Sequence, residues 1–230
     1  MTRLRTAAAA LSLALLATLG VTSAPASATG EPAPATNAGS CRSAARMLDM
    51  AKQFAGVLDD YRGATLERTF MAQMIPHHQG AIRMAELELA RGAKPQVKAL
   101  ARKIIKDQRE EIATMTQWLR DWYGVTPEQA ARQAPARAQE LMSAMKQHMD
   151  ETTTELASVP TGKQFDRVFM QAMIPHHGAA AITASVVPDR ATHEELADMA
   201  ETIVSTQKRE IRQMIHWLDA WYDAPPCERR

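Results

Sequence analysis

The chain has 230 residues, of which 46% are hydrophobic and 23% charged, with a formal net charge of +1. So near-neutral a balance argues against nucleic acid or an anionic membrane as the partner. Beyond the first thirty residues no stretch reaches the roughly 18 consecutive apolar residues that a membrane span needs, which excludes membrane insertion as an expectation.

In chain order, Arg3 and Arg5 precede an apolar run over residues 7–21, and Ala26-Ser27-Ala28 follows with a small-x-small pattern. This predicts a secretory signal over residues 1–28 and a location outside the cytoplasm. Its removal deletes two positive charges and no negative one, so +1 becomes −1. Residues 29–40 are rich in Pro, Ala, Thr and Gly and read as a disordered linker. Cys41 and Cys227 are the only cysteines. In an oxidising compartment one disulfide between them is the simplest expectation; two free thiols or a cysteine metal site are the alternatives.

Two hairpins follow, each preceded by a shorter helix. The first repeat, residues 41–125, should hold a leading helix over about 42–61, a helix over 66–90 and another over 96–123. Gly92 and Pro95 separate the last two, and Gly124 with Thr126-Pro127 closes the hairpin. The second repeat, residues 126–230, should hold helices over about 136–157, 163–187 and 192–222. Pro188-Asp189 separates the last two, and Thr192 with Glu195 suggests a capping box.

The two halves are copies. Phe70-Met71-Ala72-Gln73-Met74-Ile75-Pro76-His77-His78 recurs as Phe169-Met170-Gln171-Ala172-Met173-Ile174-Pro175-His176-His177. Gln108, Glu111, Ile112, Met115, Trp118, Leu119, Trp122 and Tyr123 recur as Gln207, Glu210, Ile211, Met214, Trp217, Leu218, Trp221 and Tyr222. One offset of 99 residues registers both blocks without a gap. The expected fold is all-α: a ferritin-like four-helix bundle of two duplicated hairpins, with the leading helices outside it or capping its ends.

At 100° per residue, Met71, Met74 and His78 fall within about 60° of one another on the inner stripe. His77 points about 100° away from His78, close to Met84, giving a second cluster at the helix edge. Thioethers favour Cu(I), and imidazole suits Cu, Zn, Fe and Ni, so the mixture suits copper outside the cytoplasm. Pro76 and Pro175 stand directly before the histidine pairs, either kinking a helix or starting a new one. Met115 and Met214 read first as core, as do Met142, Met145 and Met149 beside His148, with an accessory soft-metal site as the other reading. Gln108, Glu111, Gln207 and Glu210 lie on the inner face, where they could orient a histidine, satisfy carbonyls freed by the prolines, or bind metal directly. The four tryptophans read as the packed end of the bundle.

The motif Phe-Met-x-x-Met-Ile-Pro-His-His, followed by Gln-x-x-Glu-Ile-x-x-Met-x-x-Trp, resembles the DUF305 family of secreted bacterial proteins. The resemblance implies a ferritin-like fold and a copper-binding role in buffering, tolerance or transfer. It implies copper ligands at Met71, Met74, His77, His78 and Met84, and at Met170, Met173, His176 and His177. Copper as Cu(I) is the expected metal, with other transition metals open and any delivery partner unknown. In the second repeat Thr183 stands where Met84 stood, which would leave His176 one thioether short.

No nucleophile constellation is evident, so a non-catalytic role is expected. A ferritin-like di-metal oxidoreductase is the first alternative, although Thr114 and Gln213 stand where its Glu-x-x-His histidines would be. A metal-free helical interaction module is the second.

Overall fold

The computed structural model describes residues 37–222, and every regular element among them is helical. These are α1 (Asn37–Asp59), α2 (Gly63–Arg91), α3 (Pro95–Tyr123), α4 (Pro127–Gln133), α5 (Ala136–Ser158), α6 (Lys163–Ala184) and α7 (Glu194–Tyr222). The expected signal segment, most of the expected linker and Cys227 lie outside the described residues. The linker is shorter than expected, since residues 37–40 already belong to α1. Cys41 is disulfide-bonded.

Local chemistry sets these boundaries. Pro95 opens α3 at its first turn, and Gly124, with φ +65°, closes it by donating its amide to the Arg120 carbonyl. Thr126 and Gln129 form a reciprocal capping box for α4, a short helix beyond those expected from the sequence. α6 stops at Ala184, three residues before the expected end. Pro188 accounts for this, because a proline disfavours helical backbone at the residue before it.

The same 99-residue offset recurs in the architecture. α1 and α5 are both 23 residues long, α3 and α7 both 29, and each pair starts 99 positions apart. The loops repeat as well: the Gly63 amide donates to Arg190 O at 3.0 Å, and the Gly162 amide to Arg91 O at 2.8 Å. Both glycines hold positive φ, +53° and +107°, a conformation costly for other residues. Each half thus anchors the start of its α2 or α6 on the other half, a reciprocity that pseudo-two-fold symmetry requires.

α2 pairs with α3 and α6 with α7 as hairpins, and the hairpins meet through α2 and α6. The leading helices do not cap the bundle. α1 lies along α6 and α5 along α2, crossing to the opposite repeat, and α1 and α5 touch each other. Phe54 and Leu58 of α1 and Leu141 and Met145 of α5 are buried in this packing. Each such side chain contributes roughly 1.5–3 kcal/mol. Covered on several sides, α2 buries residues all around its circumference near its middle, from Phe70 through His78. Among the described residues no helix is long and apolar enough to cross a membrane.

Candidate metal centre

Both prolines stand inside helices, so the reading of a fresh helix start at Pro76 and Pro175 is overturned. Each withdraws one amide from the helix ladder immediately before a histidine pair. α2 and α6 run antiparallel here, as Met84 lies alongside His176, Ala172 and Val168. At their meeting point the rings of His77 and His176 stack with centroids 3.9 Å apart and planes 40° apart. His78 and His177 follow on either side, 6.3 and 6.4 Å from their neighbours.

These four imidazoles are buried. Both ring nitrogens of His77 and of His176, and Nδ1 of His78 and of His177, have no hydrogen-bond partner. A buried unpaired polar atom costs roughly 1–3 kcal/mol, so a cluster of them calls for an explanation. Burial, reinforced by the neighbouring imidazoles, holds His77 and His176 well below the ordinary histidine pKa. They are therefore neutral, the form that offers a lone pair to a metal.

Of the inner-face polar residues, the glutamates reach the histidines. His78 Nε2 lies 2.7 Å from Glu111 Oε2, and His177 Nε2 hydrogen-bonds Glu210 Oε2 at 2.9 Å. Burial acts to raise the Glu210 carboxyl, yet the His177 bond and the Lys103 ammonium, 3.2 Å away, hold it below its usual value. An ionised carboxylate only accepts, so His177 donates through Nε2–H and keeps its lone pair on Nδ1. Gln108 and Gln207 are buried nearby on α3 and α7, each with an unpaired Oε1.

The methionines fall into two buried clusters. Met71, Met74 and Met115 share the first, and Met170, Met173 and Met214 the second, which also takes Met84. His77 and Met84 form no cluster at an exposed edge: both are buried, and Gln79 and Arg83 carry the exposed face of α2 between them. Because the helices are antiparallel, Met84 lines one cavity together with His176 of the other half. His148 lies elsewhere, on α5, with Nε2 3.0 Å from the Ser43 carbonyl. Among the described residues no three His, Cys, Asp or Glu side chains are grouped so as to hold a metal ion.

Sequence reasoning missed a second pair of buried acids. Glu67 Oε1 accepts from the amides of Thr192 and His193 at the start of α7, and the Tyr123 hydroxyl donates to Glu67 Oε2. Asp166 accepts from the amides of Ala93, at 2.8 Å, and Lys94, at 3.2 Å, at the start of α3, and the Tyr222 hydroxyl donates to it at 3.2 Å. α7 begins at Glu194, so His193 rather than Thr192 takes the cap position, and the expected capping box gives way to this carboxylate. The only available signal was long-range: acids and tyrosines recurring at the 99-residue offset. The tryptophans are half-buried, not core. Trp122 stacks on His193 at 3.8 Å, and the Lys94 ammonium lies 4.1 Å from the Trp221 ring centroid. Glu88 breaks the symmetry: burial beside Asp166 pushes its carboxyl up to about 9.

The fold and site define an all-helical protein in which four buried histidines meet between two hairpins. The chain belongs to the family described as "Domain of unknown function (DUF305)", which matches over residues 67–218. It is similar to CopM in its Cu(I)-bound form, at 35% identity and TM-score 0.55, over 68% of this chain and 97% of that one. For CopM in its Cu(II)-bound form the values are 31%, 0.56, 70% and 99%. A candidate secreted DUF305 protein from Streptomyces coelicolor matches at 25% identity and TM-score 0.58, over 70% of this chain and 95% of that one. No curated protein matches the sequence.

Proposed function

We propose that this protein binds copper as Cu(I) at the α2–α6 centre, and that it buffers or transfers the metal outside the cytoplasm without catalysing a reaction. The observation that carries the reading is the four buried imidazoles with unpaired ring nitrogens, on helices whose methionines are buried as well. A soft thioether and neutral imidazole set matches the preference of Cu(I). His77, His78, His176 and His177 would supply nitrogen, and Met71, Met74, Met84, Met170 and Met173 sulfur, with Met115 and Met214 in reserve behind them. Glu111 and Glu210 would orient His78 and His177, as carboxylates beside metal-ligating histidines do. The likeness to CopM, known in Cu(I)-, Cu(II)- and silver-bound forms, supports the metal class. On this reading the chain carries two copies of the family's His-His module in one bundle, behind a cleaved secretory signal.

Titration of the mature chain with Cu(I) against a chromogenic chelator, with Zn(II) and Fe(II) in parallel, tests this. Tight Cu(I) uptake of at least one equivalent is expected. Iron uptake without copper would point to a di-metal oxidoreductase, and uptake of neither to a helical module with structural histidines.

A further inference from the structure

Outside the histidine stack, a cavity of about 70 Å³ opens between α1, α5 and α6. Met47, Met84, Met149, His148 and His176 are among the side chains that line it. Three thioethers and two imidazoles around one small void are an unusual concentration of soft donors. Two of these donors pack against Gly80. A Cβ built there would lie 3.2 Å from Met149 Sδ and 3.3 Å from His176 Nε2, tighter than ordinary packing, so position 80 has no room for a side chain. Both nitrogens of His176 lack a hydrogen-bond partner.

His148 is prepared in the same sense. Its Nε2 is 3.0 Å from the Ser43 carbonyl, which can only accept, so Nε2 carries the proton and Nδ1 keeps the lone pair. That Nδ1 is buried and without a hydrogen bond, its nearest charged neighbour being Glu151 at 3.9 Å. A backbone carbonyl fixing the far nitrogen of an imidazole is the usual support of a metal-ligating histidine. A more open depression of about 230 Å³ shares Ser43, His148, Thr152 and Glu155 with the cavity.

The arrangement exists once. At the 99-residue offset, Gly80 becomes Ala179, Met84 becomes Thr183, and Met47 and His148 correspond to Lys146 and Asp49. Met149 and His176 keep their kind, as Met50 and His77. The other half thus lacks three of the five donors.

We propose that this cavity is an additional, one-sided Cu(I) site, held by Met149, Met84 and His176 with Met47 and His148 at its outer side, through which copper reaches the central histidines. The proposal rests on the centre itself taking Cu(I). Unbranched methionine side chains reach bonding distance by torsional adjustment alone.

The test uses the mature full-length chain under reducing, oxygen-free conditions, with Cu(I) competed against a chelator. Ag(I) titration of protein labelled at the methionine methyls runs beside it. Met149→Leu conserves volume and removes the sulfur; Gly80→Ala pushes the Met149 sulfur and the His176 ring aside; Met50→Leu is the control from the other half. Met149→Leu and Gly80→Ala are each expected to lose one equivalent or weaken it at least tenfold, with Met50→Leu unchanged. The methyl signals of Met47, Met84 and Met149 are expected to shift together with Ag(I). Cu(I) binding by the wild type that Met149→Leu leaves intact in number and affinity overturns this site alone. Absence of Cu(I) binding by the wild type overturns this site and the proposed function together.

Discussion

The two halves of the molecule agree where they touch and differ where each faces its own surroundings. At the α2–α6 contact both supply Met-x-x-Met-Ile-Pro-His-His, and the rings of His77 and His176 stack on each other. Further along the chain, the first half has Gly80, Met84 and Glu88, and the second has Ala179, Thr183 and Val187. A residue at the pseudo-two-fold axis is its own counterpart's neighbour, so a change there alters both sides of the contact. A residue away from the axis sees a different environment in each half and is free to specialise. The shared centre and the one-sided cavity are the two outcomes of that rule.

The comparison can be broken most forcefully at the axis. His77→Ala and His176→Ala should each abolish the rise in melting temperature that Cu(I) produces in the wild type, because each removes donors from one shared centre. Calorimetry with and without Cu(I) checks this, and independent behaviour of the two variants would contradict a joint site.

A large asymmetric effect is expected at Glu88. Its carboxyl is pushed up to about 9 in the folded protein by burial and by Asp166, against 4.5 in its ordinary state. A raised carboxyl means the folded state holds a proton that the unfolded state releases. Its contribution is full below about pH 4.5 and is lost as pH rises through about 9, at up to ~1.4 kcal/mol per pH unit. Denaturant melts between pH 5 and 9 should show this fall, and Glu88→Gln should flatten it. Val187→Leu, at the corresponding place in the other half, should leave the slope in place.

The buried acids test the symmetric part. Glu67→Ala strands two helix-start amides and the Tyr123 hydroxyl, and Asp166→Ala strands their counterparts. Each should cost about 3 kcal/mol in chemical denaturation. A cost confined to one of them would show that the two ends are not equivalent. The smallest effect is expected at Glu111 and Glu210, where alanine should weaken Cu(I) binding roughly 10–100-fold while leaving a bound metal.

Much of this was legible in the sequence. Apolar periodicity and proline or glycine breaks placed the six long helices, and the 99-residue offset implied the pseudo-symmetry that the Gly63–Arg190 and Gly162–Arg91 bonds display. Helical angles put Glu111 and Glu210 on the face where they meet His78 and His177. What stayed hidden depends on the other half of the chain. A periodicity argument treats one helix in isolation, so it paired Met84 with His77, its neighbour on the same helix. The antiparallel partner places it with His176 instead. The caps at α3 and α7 were invisible for the same reason, since the carboxylates that make them stand 72 and 126 residues away from Lys94 and His193.

The central claim is that imidazole and thioether together hold Cu(I) in the α2–α6 contact. Copper-edge X-ray absorption of the Cu(I)-loaded mature chain tests it most directly, compared with the His77→Ala, His176→Ala double variant. The account predicts both nitrogen and sulfur bonded to copper in the wild type, with the nitrogen contribution reduced in the variant. A copper environment without sulfur, or one identical in the two proteins, would contradict it.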